Sequence, residues 1–196
     1  MVVLLSSCIF YMAYKPSYIL ILFAVILIDY TAAIFIEKEE NPKIKKWILL
    51  FSLLSNIGIL SYFKYFNFLK ENIFFLLSVL GSHKEFSAME LILPIGLSFH
   101  TFQSMAYTID VARGKQKAEK HPGYFAGYIL FFPQMVAGPI EKYNTLGVQL
   151  RNKVIYQYEN FSNGFRLMLY GLFVKVVVAD SLANAPDQIF QNPESY

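Results

Sequence analysis

Apolar residues run along this chain in long blocks separated by short polar stretches. The first block covers 1–14 and is broken by Lys15-Pro16. The second covers 17–36 and is interrupted only by Asp29. A third runs over 47–69, with Lys64 near its end. A short apolar segment over 71–80 reads as interfacial or amphipathic. A fourth block, 91–109, carries Pro94 in its first turn, where proline is tolerated. The block over 123–140 contains Pro133 and Gly138-Pro139, and the last, 161–179, carries Arg166 and Lys175. Polar connections fall at 37–46, 82–90, 111–122, 141–160 and 180–196. A membrane-crossing helix needs roughly 20 apolar residues, so this pattern predicts four to six membrane-embedded helical segments. Barrel strands would alternate over about ten residues, and these blocks are longer and more uniformly apolar. In lipid the backbone must satisfy its own polar groups, which favours helices. The predicted fold is all-α, a polytopic transmembrane helix bundle forming a single membrane domain over 1–196.

Composition agrees. Hydrophobic residues make up 56% of the 196 and charged residues 16%, against roughly 25% charged in soluble domains. Mean hydropathy is +0.42. A net charge of +3 gives no electrostatic footprint for nucleic acid. The single cysteine, Cys8, can form neither an internal disulfide nor a Cys-rich metal site. Block 1–14 has no basic leader and no small-x-small cleavage pattern; it is short for a span and reads as a truncated first helix. The connections 37–46 and 111–122 each hold four basic residues. The positive-inside rule places both in the cytoplasm, provided that 123–140 crosses the membrane.

Candidate chemistry concentrates in two places. On a helix over 91–110, Gly96, His100, Gln103, Tyr107 and Asp110 share one stripe, and Leu97, Thr101, Ser104 and Thr108 lie beside it. Ile95, Phe99, Phe102, Ala106 and Ile109 form the opposite, apolar side. A membrane helix with so broad a polar face must turn it toward other helices or a cavity. It is either the wall of a tunnel or polar glue between helices. His100 has no second histidine or acidic residue at ligand spacing, which argues against a metal site and favours a cavity-lining or structural imidazole. In Phe131-Phe132-Pro133-Gln134, the proline breaks the helix, and broken helices at membrane depth are tolerated where they line a cavity. Gln134 sits beside that break. Asp29 and Lys175 are isolated charges within apolar blocks that could pair with each other. Lys64, among Tyr62, Phe63, Tyr65, Phe66 and Phe68, reads as a snorkelling lysine in an aromatic belt.

These segments also carry a family resemblance. Leu93-Pro94-Ile95-Gly96-Leu97-Ser98-Phe99-His100-Thr101-Phe102-Gln103, then Tyr107-Thr108-Ile109-Asp110 and Arg113-Gly114, resembles the membrane-bound O-acyltransferase family. It is most like the bacterial alginate O-acetyltransferase type, related to the D-alanyl transfer protein of teichoic acid modification. Phe131-Phe132-Pro133-Gln134 and Ala137-Gly138-Pro139-Ile140 match that group's next motif in order and spacing. Phe10-Tyr11, Lys15-Pro16, Asp29-Tyr30, Lys64-Tyr65 and Asn67-Phe68 fit upstream.

The resemblance implies a multi-pass enzyme of the bacterial inner membrane. It would move an acetyl or other short acyl group from a thioester co-substrate, acetyl-CoA or an acyl carrier, to hydroxyls of an exported or cell-surface polysaccharide. Partners would be the lipid bilayer, the polysaccharide acceptor and a periplasmic or extracellular acyl-transfer protein, with no nucleic acid and no bound metal or cofactor. The family's essential histidine lies in the C-terminal half, beyond the equivalent of Tyr196. His100 stands where relatives often have an aromatic residue, so it does not inherit that role. Lys142 stands where relatives often have Arg, keeping the charge without the planar fork. The expectation is therefore an N-terminal half with no catalytic residue of its own, in which His100, Gln103, Tyr107 and Gln134 line the substrate passage. A transporter or channel subunit is the alternative reading of the same polar seam and broken helix.

Overall fold

The computed structural model describes residues 2–13, 15–79, 94–135, 138–152, 155–183 and 186, with the backbone alone at 74–79. The described residues are 82% helix, with no strand among them. They fall into two compact units, divided between Asn152 and Lys153.

In the first unit, α1 (Val2–Met12) is followed by a 3-10 turn at Pro16–Tyr18 and then α2 (Ile19–Lys38). Lys15-Pro16 ends the first apolar block as expected. The α3 helix (Pro42–Val79) starts where Asn41 turns its Oδ1 to the Lys43 amide at 3.0 Å, with proline in the first turn. It continues through Lys70 and Glu71, so the separate segment expected from 71 onward is instead the end of one 38-residue helix. No proline and only Gly58 interrupts it, and Lys and Glu are good helix formers. Position 80 and the connection at 82–90 lie outside the described residues.

The fourth block also differs. Gly96 has φ +71, a left-handed conformation that ends rather than continues a helix. Accordingly α4 spans Leu97–Ala112 with Gly96 as its N-cap; Pro94 precedes the helix, and 91–93 lie outside the described residues. The block over 123–140 is not one helix. It forms α5 (Pro122–Ile129), then a 3-10 turn at Phe132–Gln134. A π turn at Tyr143–Gly147 leads into α6 (Val148–Arg151). In the second unit, α7 (Tyr158–Phe173) runs on into a π turn at Val174–Ala179.

Two helices, Pro16–Lys38 with its leading turn and Pro42–Ile73, are long and apolar enough to cross a membrane. Large apolar side chains face outward along both: Leu27 is 62% exposed and Phe51 72%. The interior of the first unit is correspondingly polar at its centre. α2, α3 and α4 pack pairwise around Asp29, which is fully buried. Asn56 Nδ2 donates to both carboxylate oxygens at 2.8 Å, and the Ser52 hydroxyl bonds Oδ1. From α4, Ser104 and Thr108 face the same carboxylate. Ser52, Asn56, Ser104 and Thr108 are all fully buried. Within its own unit Asp29 takes neutral partners, and within the second unit Lys175 pairs with Asp180.

Hydrogen bonds between membrane-type helices are worth about 0.6 kcal/mol each and at most about 1.7. Asp29→Ala, which orphans Ser52 and Asn56 together, is expected to lower unfolding stability by about 1–3 kcal/mol. Asp29→Asn, which keeps the shape and one acceptor, is expected to lose less than half of that. Chemical unfolding of the detergent-solubilised protein measures both.

Candidate functional site

The polar stripes of α4 are the organising feature of the site. Next to each other on one turn, Phe102 is 49% exposed while Gln103 and Ser104 are fully buried. The helix turns its polar side inward and its apolar side outward, the reverse of a helix at a water surface. Its two polar stripes meet different neighbours. Ser104 and Thr108 face Asp29 at the α2–α3 seam. His100, Gln103 and Tyr107 face α5.

His100 is fully buried. Its ring faces the backbone of Ile129 at the end of α5, yet neither ring nitrogen has a partner in hydrogen-bonding geometry among the described residues. One turn on, Gln103 donates from Nε2 to the Tyr128 carbonyl at 3.4 Å, and its Oε1 has no partner among the described residues. The Thr101 Oγ1 is also buried without a partner among the described residues. Each such group costs free energy unless something bonds it.

The broken helix comes to the same place. A Cβ at Gly96 would lie 2.7 Å from the Met135 carbonyl oxygen and 3.1 Å from His100 Nε2. The start of α4 thus touches both the imidazole and the residue after Gln134, and only glycine allows that approach at a positive φ. Gln134 is 6% exposed, and its Nε2 is buried without a partner among the described residues. Gly138 donates its N–H to the Gln134 carbonyl at 3.0 Å, and a Cβ at 138 would run into the Gln134 Cβ. From α1, the buried Ser7 hydroxyl accepts the Phe132 N–H at 3.2 Å, satisfying a donor freed where α5 ends. The short first block therefore serves the break beside Gln134.

Tyr107 has a different environment from the other three expected site residues. Its hydroxyl accepts the Glu119 N–H at 2.7 Å, and its ring packs 4.5 Å from Phe125 and 5.2 Å from Tyr143. It anchors the connection between α4 and α5. That connection, read from sequence as hydrophilic, buries Ala118 and Glu119. The Glu119 carboxylate accepts from the Tyr143 hydroxyl and from the His121 N–H at 2.8 Å, and it meets Arg151 at 3.5 Å. Glu37 and Tyr30 hold the same connection from α2, through the Ala118 N–H and the Lys120 carbonyl. Glu119 and Tyr143 escape sequence reasoning because a lone Glu among lysines reads as solvated. Ser52 and Asn56 did leave a signal, four residues apart on one face of an apolar helix.

No group of three or more His, Cys, Asp or Glu residues able to hold a metal ion occurs among the described residues. The model of the membrane-bound O-acyltransferase family matches residues 7–196. The chain belongs to the membrane-bound O-acyltransferase family. The two motif segments that converge at Gly96 are the ones that carried the resemblance in the sequence. Among curated relatives, a probable alginate O-acetylase, AlgI, of Pseudomonas syringae pv. tomato is 31% identical over 98% of this chain. AlgI of Pseudomonas aeruginosa is 29% identical over the same share. A peptidoglycan O-acetyltransferase of Helicobacter pylori is 30% identical over 97%. The chain spans 38% of the first of these, 37% of the second and 40% of the third. No solved structure gives a significant match.

Gly96→Ala is expected to destabilise the protein by about 1–3 kcal/mol through strain at a positive φ and to displace His100 and Met135; a lowered thermal unfolding midpoint checks it. A second expectation concerns pH. Burial, and then the hydrogen bond and charge of Glu119, hold the Tyr143 phenol above its ordinary value of 10.0. Below pH 10 both folded and unfolded states keep that proton and the contribution is complete. As pH rises past 10 the unfolded chain loses its proton first, so stability falls. Tyr143→Phe should flatten that alkaline fall in unfolding experiments between pH 9 and about 11.

Proposed function

We propose that this chain forms part of a polytopic acyltransferase of the bacterial inner membrane. In this reading it moves an acetyl or other short acyl group from a thioester, acetyl-CoA or an acyl carrier, to a hydroxyl of an exported or cell-surface polysaccharide. In the reaction the hydroxyl oxygen bonds the thioester carbonyl carbon and the carbon–sulfur bond breaks. The thiol leaves carrying the proton given up by the hydroxyl. A periplasmic or extracellular partner protein completes delivery to the glycan.

The observation that carries this reading is the inverted helix α4 in a chain of this family. It buries His100 and Gln103, and beside them Gln134, with polar atoms that no described residue satisfies. Such groups suit a passage for a substrate rich in hydroxyls and carbonyls, which both donate and accept. His100, Gln103 and Gln134 orient substrate; Tyr107 holds the wall behind them. The catalytic base is assigned to none of the four. The relatives' printed names, alginate O-acetylase and peptidoglycan O-acetyltransferase, support a glycan acceptor.

His100→Ala, Gln103→Ala and Gln134→Ala in the native-length protein are each expected to cut acyl transfer about ten- to hundredfold, since misplaced substrate costs rates of that order, with unchanged amounts in the membrane. Labelled acetyl transfer to the isolated polysaccharide measures this. Solute flux in vesicles without any acyl transfer would overturn the reading in favour of a transporter.

A further inference from the structure

The cluster at Asp29 holds more oxygen than its own hydrogens satisfy. An ionised carboxylate has room for about four hydrogen bonds, and Asp29 receives three, two from Asn56 Nδ2 and one from the Ser52 hydroxyl. Thr108 faces the same carboxylate but gives its one hydroxyl proton to the Ser104 carbonyl at 3.2 Å. What it presents to Asp29 is therefore lone pairs. The Asn56 amide is committed through Nδ2, and its Oδ1 is buried without a partner among the described residues. Ser52, whose proton also goes to Asp29, keeps lone pairs of its own. Asn56, Ser52 and Thr108 are each 0% exposed. No basic side chain of the first unit forms an ion pair with Asp29 among the described residues. Oxygens crowded round a buried negative charge repel one another unless something positive lies among them. Buried charges are accordingly paired or coordinate a metal ion.

We propose that the Asp29 carboxylate, Asn56 Oδ1 and the Ser52 and Thr108 hydroxyl oxygens form a binding site for a desolvated sodium ion between α2, α3 and α4. The Ser104 hydroxyl faces the same carboxylate and, as a rotor, can present lone pairs to the ion. The choice of ion follows from charge and ligand type. All these groups are hard oxygens, which select against zinc and copper. One carboxylate among neutral groups balances a single positive charge. Calcium takes about six to eight oxygens, and magnesium keeps several of its waters; a fully buried seam with one acid offers neither. The smaller alkali ion suits side chains packed closely enough for Asn56 to reach both carboxylate oxygens at 2.8 Å. Asp29 lies nine residues before the end of α2, about 14 Å along the helix, so an ion bound there has given up bulk water. Sodium thus ties three helices to one point where no basic residue does so. This site is separate from His100, Gln103 and Gln134 and does not rest on the acyltransferase reading.

The test uses the native-length protein in nanodiscs of phosphatidylcholine, with retention of radioactive sodium and thermal unfolding as readouts. The wild type is expected to retain one sodium ion per chain. It should unfold several degrees higher in sodium chloride than in choline chloride of equal ionic strength, because an ion that binds only the folded state stabilises it. Potassium chloride should fall short of sodium chloride. Asp29→Asn is expected to lose sodium retention and the sodium-dependent shift together. Thr108→Val, which keeps the volume and the carboxylate, should weaken sodium roughly tenfold, and it decides the matter if the Asp29 variant does not fold. Thr31→Val, on α2 with its hydroxyl bonded to its own helix at 2.8 and 3.0 Å, should bind sodium as the wild type does. Equal unfolding midpoints in sodium, potassium and choline, with no sodium retained, would mean that Asp29 carries a proton instead and would overturn the proposal. Sodium retention that ignores both Asp29→Asn and Thr108→Val would overturn it as well.

Discussion

Three helices of the first unit meet at one carboxylate. Asp29 on α2 takes hydrogen bonds from Ser52 and Asn56 on α3 and faces Ser104 and Thr108 on α4. A carboxylate this deeply buried is costly unless its lone pairs are engaged, so the helices that carry its partners have little freedom to rotate. Turning α4 by a quarter would expose Ser104 and Thr108 to an apolar surrounding and strand the acid. The same rotation would carry His100 and Gln103 away from α5. The orientation of the candidate site thus depends on a cluster that contributes no site residue of its own.

The second constraint is backbone satisfaction. Where α5 ends, donors and acceptors lose their helical partners, and in an apolar environment each needs another. Ser7 of α1 takes the Phe132 N–H, and Gly138 returns a bond to the Gln134 carbonyl. Gly96 lets the Met135 carbonyl approach α4 without a Cβ between them. Small residues at these three positions make a broken helix compatible with burial. The polar side chains left over, His100, Gln103 and Gln134, keep buried polar atoms that no described residue bonds.

At the opposite end of α4, charge takes over from packing. Glu119 gathers Tyr143, Arg151 and the His121 amide, while Tyr107 holds the backbone beside it. This node ties the connection after α4 to α5 and α6. Between it and the helix end, Arg113, Lys115 and Lys117 line one cavity and form no ion pair among the described residues.

Much of this was legible in the amino-acid sequence. Block length and uniform apolarity determine helices, because period and length act through the backbone and nearest turns. The inward polar face of α4 follows from spacing alone, as does the break at Pro133, whose missing N–H acts locally. The family was readable from the motifs around Pro94–Gln103 and Phe131–Ile140. Pairing over distance was not. The charge of Asp29 named no partner, and only the packing of α2 on α3 brought Ser52 and Asn56 to it. The burial of Glu119 and the convergence of Lys45 with three cations beyond α4 are likewise decisions of tertiary structure. Sequence determines which groups must find partners; which partner each finds depends on how the helices are rotated and brought together, and that information is shared among residues as far as 125 positions apart.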